Sequence, residues 1–262
     1  MDNRASDIRI SACIVTHNSA GVVADAIDSL LRRTAGAALS LYLCDNASGD
    51  GTVALVRRRF PQVSVLESPV NEGFGRGHNR VLPLLDSDYH AVINPDILLR
   101  EDTLTILAAY MEAHPEVAIC TPMILNEEGG RQYLPQRAPR LRYLLAGRLE
   151  RFSSRFARLR DEYTRRREPA DTPRDIEFAT GCFMLLRTSV FARLGGFDPR
   201  FFLYMEDADL SRRALALGRV VFYPGTAVIH RWARESHRSM RFLCLHLRSA
   251  AQYFKKWRDG DA

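Results

Sequence analysis

Lysine is almost missing from this 262-residue sequence: of 37 basic residues, only Lys255 and Lys256 are not arginine. No run approaches the roughly 20 continuous apolar residues that a membrane-spanning helix needs, which excludes a helical span. The five cysteines (Cys13, Cys44, Cys120, Cys182, Cys244) are odd in number, far apart and never arranged Cys-x-x-Cys. That spacing argues against a disulfide framework or a zinc site and for reduced, buried thiols. The start, Met1-Asp2-Asn3-Arg4, has no basic-then-apolar leader, and charged Asp7 and Arg9 interrupt the first ten residues, so the expected location is the cytoplasm. Repeats and low-complexity runs are absent too. With 46% hydrophobic and 26% charged residues, the composition excludes disordered and fibrous classes.

The net charge of +6 is unevenly spread. Residues 131–168 hold 12 Arg against 4 acids, and residues 228–258 hold 8 basic groups against Glu235, leaving an acidic remainder. Two basic stretches on an acidic body suggest a polyanionic partner: nucleic acid, an anionic membrane surface or phosphorylated substrates.

Hydrophobic patterning predicts strands at 8–16, 39–44, 63–67 and 89–93, separated by helices at 22–31 and 53–60 and a third before residue 89. Strand, polar turn and helix in repetition mean βαβ units and a mostly parallel sheet, whose ligands bind at the strands' carboxyl ends. The polar groups His17-Asn18, Asp45-Asn46, Asn71 to Asn79 and Asn94-Pro95-Asp96 all fall at such ends. Past Pro122 the pattern gives way to a Pro- and Arg-rich stretch, 123–175, read as an irregular insertion with short helices or a lid. Order returns with a strand at 178–187, a helix at 189–194, a helix from Leu210 to Leu217, strands at 220–223 and 227–230, and a terminal amphipathic helix.

Asp96 and the amide of Asn94 form a hard-oxygen pair suited to Mg²⁺ or Mn²⁺, and His230 could add a nitrogen ligand. Two plainer readings stand beside these: Asp96 as the cap of a helix beginning near Glu101, and His230 as a core histidine. Glu206, Asp207 and Asp209 crowd after Phe201-Phe202-Leu203-Tyr204. Helix capping suits Asp209 best, whereas partial burial and mutual repulsion would raise a carboxyl pKa as a general base requires. Gly73-Phe74-Gly75-Arg76-Gly77 is not a dinucleotide fingerprint, since His78 takes the sixth position.

In chain order, these segments resemble the family-2 glycosyltransferases of the GT-A fold, within them the bacterial rhamnosyltransferase-like branch. The runs that carry the likeness are Val15-Thr16-His17-Asn18, Cys44 to Thr52, Asn71 to Asn79, Asn94-Pro95-Asp96, Thr180 to Arg187, Gly195 to Asp198, Phe202 to Leu210 and Val228-Ile229-His230. The resemblance implies an α/β, Rossmann-like, mostly parallel central sheet flanked by helices. It implies that Thr16, Asn18 and Asp45 hold the nucleotide's base and ribose, and that Asn71, Gly73, Arg76 and Asn79 line the donor site. Asp96, beside Asn94, would bind a divalent metal (Mg²⁺ or Mn²⁺) with His230 as second ligand. Asp207 would be the catalytic base and Glu206 its rival.

One domain is expected: a nucleotide-sugar half at 8–122, the Arg-rich insertion at 123–175, an acceptor and catalytic half at 176–236 and a terminal helix at 237–262. The branch implies inverting transfer of L-rhamnose from dTDP-L-rhamnose to a glycan, often linked to a polyprenyl diphosphate, in bacterial surface polysaccharide synthesis. Mannosyl, galactofuranosyl or amino-sugar transfer is the first alternative; a non-catalytic basic module binding nucleic acid or membrane is the second. Nucleic acid is not an expected partner of the enzyme. In the terminal helix, Met240, Leu243, Leu247, Ala250, Ala251, Phe254 and Trp257 fall on one side, with Arg238, Arg241, Arg248, Lys255, Lys256 and Arg258 around it. Such a helix fits a peripheral seat on the inner membrane face, and fits equally well docking on the protein's own core or a partner chain.

Overall fold

A computed structural model describes residues 8–150, 153–231 and 240–258. Its centre is one sheet in the order β3 (Ser64–Ser68), β2 (Ala38–Asn46), β1 (Arg9–Thr16), β4 (Tyr89–Ile93), β8 (Phe183–Arg187), β6 (Val117–Leu125), β9 (Arg219–His230), β5 (Ile97–Leu99). A two-residue strand, β7 (Arg174–Asp175), pairs with β9 outside that path. Helices α1 (Val23–Arg33), α2 (Thr52–Arg59), α3 (Phe74–Asn79) and α4 (Thr103–Ala113) follow the early strands. Next come α5 (Leu141–Leu149), α6 (Ser154–Thr164), α7 (Thr188–Arg193), α8 (Glu206–Ala214) and α9 (Met240–Arg258).

β1 shows why the sheet is central. Ile10, Ala12 and Ile14 enter the main core with Val23, Ala26, Ile27 and Leu30 of α1, while Cys13 and Val15 enter a smaller cluster on the other face. Alternation at period two thus buries both faces. Cys13, Cys44, Cys120 and Cys182 are buried free thiols, whereas Cys244 is exposed.

Several expectations are corrected. The sheet is mostly parallel, as expected, but mixed, which the sequence left unresolved: β1–β2, β1–β4, β2–β3 and β6–β9 are parallel, and β4–β8, β6–β8, β5–β9 and β7–β9 are antiparallel. Apolar runs report burial and leave strand direction open. The glycine-rich run is largely the short helix α3. Asp102, not Asp96, caps α4, accepting from the Thr105 amide at 3.3 Å. The strand expected over 178–187 is confined to Phe183–Arg187, and the two late strands are one, β9, whose pairing with β6 shifts register between Pro122 and Met123. α8 begins at Glu206, one turn before the expected Leu210, so all three acids lie in its first turn. The 236/237 boundary and Arg238 lie outside the described residues.

α9 answers its open question by halves. Ala250, Tyr253 and the two turns around them join Tyr143, Tyr163, Phe201, Met205 and Ala208 in a third core cluster. Lys256, expected on the polar surround, is only 7% exposed, while Met240 and Leu247 stay exposed.

Two histidines are buried without charge. His78 has no hydrogen-bond partner on either ring nitrogen and packs against Phe74 and Phe197 at ring-centroid distances of 4.5 and 5.7 Å. Burial pushes it well below its usual value. His90 accepts or donates one hydrogen bond with Ser11 Oγ at 2.8 Å, stacks on Phe191, and is pushed down to about 3 by burial. Because the unfolded chain takes up these protons near pH 6.5 and the folded one does not, each site removes stability as pH falls below 6.5. Replacing His78→Leu is expected to flatten the dependence of unfolding free energy on pH between 4 and 6 by one proton, about 1.4 kcal/mol per pH unit. Urea unfolding at several pH values reads this; an unchanged slope would contradict a neutral buried His78.

Candidate active site

Parallel β1, β2 and β4 end on the same edge, and the antiparallel β8 brings its N-terminal turn to that edge. Two loops, after β1 and β2, are knitted together there. Asp45 is 2% exposed and accepts from Thr16 Oγ1 (2.8 Å), Ser48 N (2.8 Å) and Ser48 Oγ (2.6 Å). Asn18, left-handed at φ 56°, accepts from Gly49 N at 2.8 Å and donates its own amide N–H to Ser48 Oγ at 2.8 Å. Asp45 and Asn18 therefore shape the crevice wall, and Ser48, which carries no signal of its own in the sequence, is their common partner.

Asn71 accepts from Gly73 N at 3.0 Å. Gly73 has φ 88°, and a Cβ there would stand 2.1 Å from the Phe202 carbonyl oxygen, so only glycine fits this crossing. Asn79 exchanges both ends of its amide with the Phe197 backbone (2.7 and 2.8 Å), and Arg76 Nε donates to Pro199 O at 2.9 Å. These residues fasten the 71–79 segment to residues 197–202, which lead into α8.

The decisive turn is Gly181-Cys182. Asn94 N donates to Cys182 O at 2.9 Å, and Gly181 N donates to Asp207 Oδ2 at 2.9 Å. Adjacent residues thus hold the turn carrying Asp96 on one side and the carboxylate of α8 on the other. Burial, with smaller contributions from the charges of Asp96 and Asp207, pushes the Cys182 thiol up to about 12.

Asp96 Oδ1 lies 3.5 Å from His230 Nε2, because β5 and β9 pair Ile97 with His230. Gln132 fixes the imidazole: its Oε1 is 3.2 Å from His230 Nδ1, and its Nε2 donates to His230 O at 2.7 Å. The Asp96 Oδ1 beside that ring is buried and has no hydrogen-bond partner among the described residues. A carboxylate oxygen and an imidazole nitrogen 3.5 Å apart are a ligand pair that fits a divalent cation. Among the described residues, no three His, Cys, Asp or Glu side chains gather as a complete set, so ligand phosphates and water would fill the remaining positions, as is usual for Mg²⁺.

α8 manages three carboxylates in three ways. Asp207 accepts from Gly181 N and Ala208 N; burial raises its pKa and these donors partly offset the rise. Glu206 is buried with Oε2 unbonded, and burial followed by the Asp207 charge pushes it up to about 8. Burial and the neighbouring charge thus favour its neutral form. Asp209, the expected cap, is fully buried and accepts from Arg213 Nε (2.8 Å), Lys256 Nζ (2.7 Å) and Trp257 Nε1 (3.1 Å). Before the helix, Tyr204 and Met205 are both left-handed, at φ 70° and 68°. Such backbone costs on the order of 1–3 kcal/mol per residue and persists only where surrounding contacts impose it. Here Ser249 Oγ of α9 donates to Leu203 O at 2.7 Å, and Gly73 closes from the other side.

A family model, Glycosyl transferase family 2, matches residues 11–195, well over half of the sequence. The chain belongs to that family. Among curated relatives, this glycosyltransferase is 30% identical over 213 residues to the N-acetylglucosaminyl-diphospho-decaprenol L-rhamnosyltransferase of Mycobacterium tuberculosis, covering 76% of this chain and 69% of the relative. It is 28% identical over 198 residues to Rhamnosyltransferase WbbL of Escherichia coli, covering 71% of each. Solved structures with the same fold include a mannosyltransferase of Pyrobaculum calidifontis in complex with GDP-Man and Mn²⁺ (TM-score 0.63, 17% identity, 95% of this chain). GalNAc-T7 with UDP, GalNAc and Mn²⁺ is another (TM-score 0.68, 15% identity, 97% of this chain). The glycosyltransferase spans 65% and 48% of those two solved chains.

Its helix α8 depends on a residue far along the sequence. Lys256 Nζ bridges Asp198 Oδ2 (2.8 Å) and Asp209 Oδ1 (2.7 Å). Replacing Lys256→Met leaves two carboxylates without it and is expected to lower stability by about 3–5 kcal/mol in urea unfolding. A loss below about 1 kcal/mol would show the bridge to be dispensable.

Proposed function

We propose that this enzyme transfers L-rhamnose, with inversion, from dTDP-L-rhamnose to a hydroxyl of a glycan carried on a polyprenyl diphosphate. The relatives' names support the donor sugar and the acceptor class, and the Gly181-Cys182 turn, which holds both the Asp96 turn and Asp207, is the observation that carries the reading. In this reading residues 8–122 form the donor half, with the loops built by Thr16, Asn18 and Asp45 seating the nucleoside. Residues 176–231 supply the base.

Asp207 orients the acceptor hydroxyl and takes its proton as that oxygen forms a bond to the anomeric carbon. The bond from that carbon to the nucleotide diphosphate breaks on the opposite face, so one displacement inverts the centre. Neutral Glu206 keeps a second negative charge away from the developing anion. Asp96 and His230 would hold Mg²⁺ or Mn²⁺, which when bound supplies charge for the leaving diphosphate. Asp207→Asn is expected to abolish turnover while nucleotide binding with Mn²⁺ persists in calorimetry, and Asp96→Ala to lose the metal-dependent part of that affinity. Donor transfer is read on a panel of nucleotide sugars; transfer by Asp207→Asn, or a preference for a different sugar, would overturn the corresponding part.

Among the described residues no helix is long and apolar enough to cross a membrane. Leu141 and Leu145 of α5 and Met240 and Leu247 of α9 are more than half exposed, on helices whose other faces share one core cluster. These residues, with the surrounding arginines, support a peripheral seat where a lipid-linked acceptor is presented. Leu145→Glu with Leu247→Glu is expected to reduce co-sedimentation with anionic vesicles without changing unfolding; undiminished sedimentation would overturn the seat.

A further inference from the structure

We propose that the cleft lined by Thr121, Arg131, Gln132, Gln136, Thr180 and Phe222 binds a diphosphate of the acceptor, with Arg131 as the group that grips it. This rests on the glycosyl-transfer reading above and adds to it a subsite for the acceptor's charged end.

The cleft is shallow and opens to solvent, so a ligand would sit at its mouth. Its lining contains one charged residue, Arg131, and no carboxylate. Arg131 is half-buried, and its guanidinium lies 5.0 Å from the ring centre of Tyr133 and 5.2 Å from that of Phe222. That guanidinium makes no hydrogen bond and no ion pair with any described residue, so five N–H donors, held flat against two aromatic rings, are left for a ligand. Other half-buried arginines behave differently. Arg174 donates to Gln136 Oε1 and Pro169 O; Arg187 donates to Val117 O and Met111 O; Arg213 pairs with Asp209.

Positive charge also accumulates around it. Arg166 lies over the Tyr133 ring at 4.7 Å and Arg174 over the Phe222 ring at 5.2 Å, so three guanidiniums share two rings. Glu168, the carboxylate near this group, is already shared by Arg137, Arg165 and Arg174. With one carboxylate shared among several guanidiniums, the cluster keeps an excess of positive charge that favours an anion, and a planar fork of donors matches phosphate oxygens in pairs.

Position decides which anion. Gln132 in the cleft wall holds His230, next to the carboxylate facing the expected donor diphosphate, and Thr180 in the same wall precedes Gly181, which holds Asp207. A group in this cleft would lie beside the residues that hold His230 and Asp207. An acceptor sugar whose hydroxyl meets Asp207 would carry its diphosphate there.

The test titrates inorganic pyrophosphate by calorimetry into wild type, Arg131→Gln and Arg131→Lys, each with and without the nucleoside diphosphate that saturates the donor site. Pyrophosphate is expected to bind alongside the saturating nucleotide, about tenfold or more weakly in Arg131→Gln and less weakened in Arg131→Lys, with nucleotide affinity unchanged. Pyrophosphate binding that disappears once nucleotide is bound, equal affinity in all three proteins, equal loss in both variants, or a loss of nucleotide affinity in Arg131→Gln would each overturn the proposal. In steady-state kinetics Arg131→Gln should raise KM for a diphosphate-linked acceptor while leaving a neutral alkyl glycoside of the same sugar unaffected; an equal rise for both overturns it. Because the titration requires no sugar transfer, a wrong donor assignment shows itself separately, in the nucleotide-sugar panel.

Discussion

Two backbone hydrogen bonds from one turn set the geometry on which everything else rests. The peptide groups of Gly181 and Cys182 face opposite ways, one toward Asp207 and one toward Asn94. A Cβ at Gly181 would stand 3.1 Å from the Phe74 ring, so a larger residue there would have to push that ring aside by a few tenths of an ångström. The turn can occupy this place because β8 runs antiparallel to β4, so its first residues arrive where β4 stops. Had β8 been parallel, its N-terminus would sit at the far edge and the turn that holds Asp207 would lie a strand's length from Asp96.

Charge burial is the second constraint. α8 opens with three carboxylates, Glu206 and Asp209 buried and Asp207 partly so, and each meets a different surrounding: backbone N–H groups for Asp207, burial that favours the neutral form for Glu206, and Arg213 with Lys256 for Asp209. The three acids of one helical turn thus differ in how readily each carries a charge.

The early βαβ strands were readable because β1, β2 and β4 are apolar runs that end abruptly in Asn and Asp, and the polar clusters do meet at one edge. Strand direction was hidden: β8 and β9 carry the same Val, Leu and Phe signals whichever way they pair. The short β5 was hidden as well, since Ile97-Leu98-Leu99 is too brief for periodicity. Among site residues, Asp96, His230 and Asp207 stood out by residue type and place. Gln132 did not, because it sits in an arginine-rich stretch with no regular pattern, and its meaning comes only from the imidazole it touches. Lys256 was misplaced for a simple reason: helical spacing put its charge beside Lys255 and Arg258 on a wet face, whereas two buried acids draw it inward.

That inward lysine has a bearing on how the chain matures. Translation runs from the N-terminus, so Asp198 and Asp209 emerge from the ribosome well before Lys256. Until α9 follows, those acids lack their bridging cation and the left-handed bend at Tyr204 and Met205 lacks its Ser249 brace. Helix α8 therefore gains its bridging cation and its bracing hydroxyl only after the last helix has been made.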